Sequence, residues 1–107
     1  MIEVETEEDL NRQISEHPRV LALFYASWCP FCRSFMGVFD RHAKNPGKDV
    51  CIKVRIDEDE NPLWEIYGME SVPSLVLFEG GEIRAKLYCR LGEGLNERQF
   101  QKWLATA

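Results

Sequence analysis

Cys29-Pro30-Phe31-Cys32 is the part of this sequence whose residue types and spacing do chemistry. Two cysteines three residues apart lie nearly one helical turn from each other, within reach of a disulfide. The residues before them, Val20 to Ala26, form a continuous apolar run that reads as a buried strand, and a helical pattern follows. Cys29 therefore stands where a strand feeds a helix. Unpaired amides and the helix dipole put positive potential on a sulfur there, which favours the thiolate, the nucleophilic form. Pro30 suits the first turn because the donor it lacks would be unpaired anyway. Cys29 is then the attacking thiol of a disulfide exchange, and Cys32 the thiol that resolves the mixed disulfide. Two other uses of the pair fit less well. Zinc wants four ligands, and Cys51, Cys89, His17 and His42 are scattered along the chain. A purely structural bridge over so short a loop stabilises little.

The elements that position the pair can be read along the chain. Thr6 and Asp9 resemble a capping box opening a first helix, whose buried face carries Leu10 and Ile14 and which stops before Pro18. The run Val20–Ala26 has the look of a central strand covered on both faces. Cys32, Phe35, Met36, Phe39 and Ala43 recur at helical spacing, with Gly37 expected to weaken or bend that helix and Asn45-Pro46-Gly47 to end it. Val50, Ile52, Val54 and Ile56 alternate with Cys51, Lys53 and Arg55 as a strand does. A short helix over 61–67, a strand over 74–78, a Gly80-Gly81 turn and a returning strand over 82–88 follow. Asn96 and Gln99 form a second capping box, before a helix buried through Phe100, Trp103 and Leu104. With a short strand at Ile2 to Val4, the order is a βαβ unit and then a ββα unit. The expectation is one α/β domain over residues 1–107, a mixed sheet with helices on both faces.

Composition narrows the partners. A chain of 107 residues that is 45% hydrophobic can build one core. Its formal charge of −5, with no basic stripe, argues against nucleic acid and weakly against an anionic membrane surface. The acidic start Met1-Ile2-Glu3-Val4-Glu5 has no apolar signal core, and Val20–Ala26 is too short to span a bilayer. Four cysteines, only two of them close together, fit a reducing compartment, so a cytoplasmic location is expected.

Phe24-Tyr25-Ala26-Ser27-Trp28-Cys29-Pro30-Phe31-Cys32 resembles the active-site segment of the thioredoxin family. Lys53-Val54-Arg55-Ile56-Asp57 resembles its central strand, Tyr67 to Ser74 its cis-proline segment, and Phe78-Glu79-Gly80-Gly81-Glu82 its hairpin. The resemblance covers essentially the whole chain. It implies the thioredoxin fold and a protein-disulfide oxidoreductase with Cys29 attacking and Cys32 resolving. It implies protein disulfides as substrates, a disulfide reductase such as thioredoxin reductase as partner, a monomer, and no cofactor or metal beyond the redox pair. Trp28 would shield the sulfurs, and Trp28, Pro30 and Phe31 would bind substrate together with Val72 and Pro73. Val72-Pro73 would be a cis bond whose backbone pairs with substrate as an added strand. Lys53 would lie beneath the disulfide. Plainer roles stand beside these: Trp28 as packing, Pro73 as a trans turn residue, Lys53 as an edge charge, Phe31 as a surface aromatic.

The departures are as informative. Thioredoxins carry a buried carboxylate six residues ahead of the first cysteine, and here that position is Leu23. The usual proton acceptor for the resolving thiol is thus missing. Pro30-Phe31 replaces Gly-Pro, which is closer to glutaredoxin. Cys89 falls near a glycine that flanks the family's substrate groove, or else serves only packing. Two alternatives follow: a glutaredoxin-type reductase using glutathione, and a binding or chaperone module with incidental cysteines. The first is disfavoured by the extra N-terminal helix and the lack of a Gly-Gly-x-x-Asp segment after the hairpin. The second is disfavoured by an intact CxxC beside Trp28 and Val72-Pro73.

Overall fold

The strand Arg19–Tyr25 lies at the centre of a five-stranded sheet, in a computed structural model that describes all of residues 1–107. In chain order the strands are β1 (Ile2–Val4), β2 (Arg19–Tyr25), β3 (Val50–Arg55), β4 (Ser74–Glu79) and β5 (Glu82–Tyr88). Their spatial order is β1-β3-β2-β4-β5. β3 pairs parallel with β1 and β2, while β4 is antiparallel to both β2 and β5. The sheet is therefore mixed, as the two-unit order of elements predicts. Every residue from Val20 to Ala26 is buried, which an uninterrupted apolar run requires and an alternating strand would not.

Four helices, α1 (Glu7–Glu16), α2 (Pro30–Ala43), α3 (Leu63–Ile66) and α4 (Glu97–Thr106), cover the two faces. Alternation along the strands decides what each face holds. Phe24 points to the α3 side, with its ring 5.2 Å from that of Tyr67. Its neighbour Leu23 points the other way. There Phe35 and Phe39 of α2 meet Phe100 of α4 at ring separations of 5.5 and 6.4 Å. All three rings are buried, each contributing about 2–3 kcal/mol by area, and they clamp the two helices together.

The helix ends follow the capping chemistry. Thr6 accepts from the Asp9 amide at 3.1 Å, without the reciprocal half of a capping box. Asn96 and Gln99 make both halves, each at 2.8 Å. Gly37 lies within α2, which runs unbroken, and faces solvent, so it weakens the helix by the propensity loss of about 1 kcal/mol. Two expectations need correction. Trp103 and Leu104 are half-buried, leaving Phe100 as the one fully buried residue of α4. The third helix is shorter than 61–67. The Asn61 side chain accepts from the Leu63 amide at 3.0 Å and forms a turn ahead of it, and Gly68 at φ +64° ends the segment.

Candidate functional site

The site begins where β2 ends. The Cys29 amide donates to the Ala26 carbonyl at 3.2 Å, closing the short turn through Ser27 and Trp28. Cys29 is the N-cap of α2, in an extended conformation and with no side-chain cap, and Pro30 takes the first helical position. The orphan amides of the first turn thus face the region of the Cys29 sulfur. Asp57, just beyond β3, fixes this turn. Ile56 donates to the Tyr25 carbonyl at 2.9 Å, which extends the β2–β3 pairing and brings Asp57 beside Ser27. The Asp57 carboxylate accepts from the Ser27 amide at 2.8 Å and from its hydroxyl at 2.6 Å, and its carbonyl accepts from the Trp28 indole at 2.9 Å. Burial alone would raise the Asp57 carboxyl, but the Ser27 hydrogen bonds and Arg55 outweigh it and hold the group below its usual range.

The two thiols face different surroundings. Cys29 is 6% exposed and its sulfur lies 3.6 Å from the Val72 carbonyl; Cys32 is 1% exposed. The Val72–Pro73 bond is cis, as the sequence motif predicts. Burial pushes the Cys32 thiol up to about 12, and the neighbouring Cys29 and Cys89 thiols add to the rise, against an opposing interaction with the Ala26 backbone. Leu23 is fully buried and opposite Leu75 and Lys53, so no carboxylate is supplied from that position. Lys53 shares Leu23's face of the sheet, but its ammonium sits 2.9 Å from Asp40. Asp40 is roughly two turns along α2 from Cys32, and it is with this carboxylate that the ammonium is paired.

Around Cys29 is a groove of 330 Å³ lined by Trp28, Phe31, Trp64, Val72 and Leu91 among others, with Glu70 its one charged residue. Pro30 is part of this lining. Trp28 and Phe31 are 55% and 41% exposed, a large apolar area for a small surface. Each wall has an anchor. The Trp64 indole donates to the Glu58 carbonyl at 3.1 Å, as Trp28 does to Asp57. On the other wall Phe31 packs against Gly94: a Cβ there would fall 2.8 Å from the Phe31 ring, and Gly94 sits at φ +69°. Only glycine meets both conditions.

Sequence reasoning brought Trp28, Cys29, Pro30, Phe31 and Val72 to this groove, with Cys32 and Pro73 next to them in the chain; Cys89, expected at the groove's rim, lines a separate cavity of 470 Å³ with Tyr88, Arg90 and Leu95. Sequence reasoning missed Asp57, Trp64, Ser71 and Leu91. Asp57 had a signal: a strand-end acid is a natural acceptor for the amides of an adjoining turn. Leu91 had a weaker one, a bulky apolar residue in an otherwise polar loop. Cys51 is apart from the groove, half-buried on β3, its thiol pushed up to about 11 by burial and by Asp49. No group of three or more His, Cys, Asp or Glu side chains is placed to hold a metal ion.

A family model for thioredoxin matches residues 1–105. An M-type chloroplastic thioredoxin of Zea mays is 42% identical over 64 residues, 59% of this chain and 38% of that protein. An M-type chloroplastic thioredoxin of Pisum sativum is 41% identical over 91 residues, 84% of this chain and 52% of that protein. The thioredoxin of Rickettsia conorii is 39% identical over 64 residues, 59% of this chain and 60% of that protein. The chain thus spans between 38% and 60% of the length of these curated relatives. Among solved structures, a mutant thioredoxin from Halobacterium salinarum superposes with a TM-score of 0.79 at 28% identity, covering 98% of this chain and 88% of that one. A Plasmodium falciparum thioredoxin, at TM-score 0.83 and 23% identity over 99% of this chain and 98% of that one, shares the fold.

Proposed function

The chain belongs to the thioredoxin family, and from that premise we propose that it is a thiol–disulfide oxidoreductase that reduces protein disulfides through Cys29 and Cys32. The observation that carries this reading is the placement of the Cys29 sulfur: at the N-terminus of α2, 3.6 Å from the Val72 carbonyl, in the lining of an open apolar groove. A substrate strand lying along Val72 pairs with its main chain and presents a disulfide sulfur to Cys29. Cys29 attacks, the bond between the substrate sulfurs breaks, and one leaves as a thiol. Cys32 then attacks Cys29, releasing the second substrate thiol and leaving the Cys29–Cys32 disulfide. A disulfide reductase returns the pair to the dithiol. The relatives matched are thioredoxins, which disfavours the glutathione-dependent alternative. The intact pair in an open groove disfavours a binding module with incidental thiols.

Turnover of insulin disulfides with a reductant tests the reading. Loss in Cys29→Ser and a slower rate in Cys32→Ser are expected, with no gain when glutathione is the sole reductant. Full activity in Cys29→Ser would overturn it. We further propose a reducing, cytoplasmic setting and a monomeric state. The first is supported by the placement of the four cysteines, three of them buried and Cys51 half-buried, with none held as an exposed structural bridge. Fractionation of the source cells and sedimentation of the purified protein check the two.

A further inference from the structure

A third thiol stands beside the pair. Cys89 follows β5 directly and is buried. The last paired residues of β4 and β5 are Ser74 and Tyr88, so the chain carries Cys89 on past Tyr88 alongside the Val72–Pro73 segment, whose carbonyl touches Cys29. Tyr88 reaches the Tyr67 carbonyl on the α3 side, and the alternation of β5, continued one residue past its end, would turn Cys89 to the opposite face, the one covered by α2 and Cys32. The rise that Cys89 adds to the Cys32 thiol agrees with that placement.

Ser71 gives this thiol a partner suited to exchange. The Ser71 hydroxyl lies 2.9 Å from the Cys89 carbonyl and 3.2 Å from the Cys89 sulfur. While Cys89 is a thiol, the hydroxyl donates to the carbonyl and accepts from S–H. When Cys89 is ionised, rotation of the same O–H turns it into a donor to the sulfur, stabilising the thiolate. Ser71 also precedes Val72, so one short segment holds both Cys29 and Cys89.

We propose that Cys89 is a second resolving thiol, attacking Cys29 in the mixed disulfide in competition with Cys32. This rests on the exchange reading above. The step balances. The Cys89 thiolate forms a bond to the Cys29 sulfur, the bond from Cys29 to the substrate sulfur breaks, and the electron pair leaves with that sulfur. The substrate thiolate takes up the proton that Cys89 lost. Cys29 and Cys89 end as a disulfide, and the substrate disulfide has gained two electrons.

The probe is one equivalent of 5,5′-dithiobis(2-nitrobenzoate), whose thiolate halves are coloured on release. In Cys32→Ser, attack by Cys29 frees the first half and leaves the second on Cys29. We expect the second half to be freed as well, at least about tenfold faster than in Cys32→Ser/Cys89→Ser, with a Cys29–Cys89 disulfide found by peptide mapping. Adding Ser71→Ala to Cys32→Ser keeps the thiol and is expected to slow that second release. Cys32→Ala serves as an independent background should the serine perturb the fold. Retention of the second half on Cys29, or a bridge only to Cys51 or between molecules, overturns the proposal and leaves the exchange reading intact. Failure to release even the first half overturns the exchange reading itself.

Discussion

The rim and the floor of the cysteine pair are three residues apart in sequence and are provided for in opposite ways. At the rim, Cys29 has a carbonyl at 3.6 Å, and Asp57 pins the turn that carries Trp28. At the floor, Cys32 is closed in by apolar residues, its thiol pushed up to about 12, with Leu23 where an acceptor would serve it. The contrast teaches that the two halves of an exchange reaction are separable in structure. Cys29 opens on the groove for the first attack, whereas Leu23 supplies Cys32 no acceptor for the second. Slow resolution of the mixed disulfide is the expected consequence, and it would give a third thiol near Cys29 time to act.

The sharpest way to break the comparison is to remove the rim sulfur. Cys29→Ser should bring insulin reduction down to the uncatalysed baseline, and in the unaltered dithiol protein alkylation near neutral pH should fall on Cys29 well before Cys32. Faster labelling of Cys32 would reverse the two roles. Supplying the floor with an acid is the next largest change. Leu23→Asp should destabilise the protein by about 3 kcal/mol at neutral pH, since it buries a carboxyl among apolar neighbours, with Lys53 on the same face offsetting part of this. Burial raises that carboxyl above its unfolded value. The stability penalty therefore grows as pH rises from the unfolded carboxyl range towards the raised value, and is smallest in acid. The same acid can accept the Cys32 proton, so reduction near neutral pH should quicken by about tenfold. Thermal melts and pH–rate profiles of the two proteins check both halves, and an unchanged profile would show that Leu23 does not face the resolving thiol.

Smaller effects sharpen the rim. Leu91 is 83% exposed, so Leu91→Ser should change stability by less than about 0.5 kcal/mol. It should nevertheless raise KM for an apolar disulfide peptide by about fivefold at constant kcat, because the lost contact is made on binding. The last and most local effect belongs to the Asp57 anchor. Asp57→Asn should cost about 1 kcal/mol through weakened hydrogen bonds to Ser27. Asp57 is held below its ordinary range, so its stabilisation is present above about pH 4 and is lost as pH falls through the lowered value. Denaturant titrations from pH 6 to pH 2 should therefore show a steeper loss in the unaltered protein than in Asp57→Asn.

The sequence by itself determined the elements and the reactive pair. An apolar run without alternation fits only a strand covered on both faces, and Val20–Ala26 is such a strand. The caps at Thr6 and Asn96, the Gly80-Gly81 hairpin and the cysteine spacing are likewise short-range facts, decided by atoms within a few residues of one another. Contacts between distant segments were decided only by the tertiary structure. Nothing near Lys53 in the chain says that its ammonium goes to Asp40 on α2, because that choice depends on the helix lying over this part of the sheet. Nothing near Asp57 says that it holds Ser27, 30 residues away, until β2 and β3 pair. The position of Cys89 is of the same kind. Its neighbours along the chain are solvent-facing or half-buried, yet the pairing of β4 with β5 brings it inward against Ser71. Local patterns fix conformation because their partners are always at hand. A site assembled from several segments exists only after the sheet has set the distances between them.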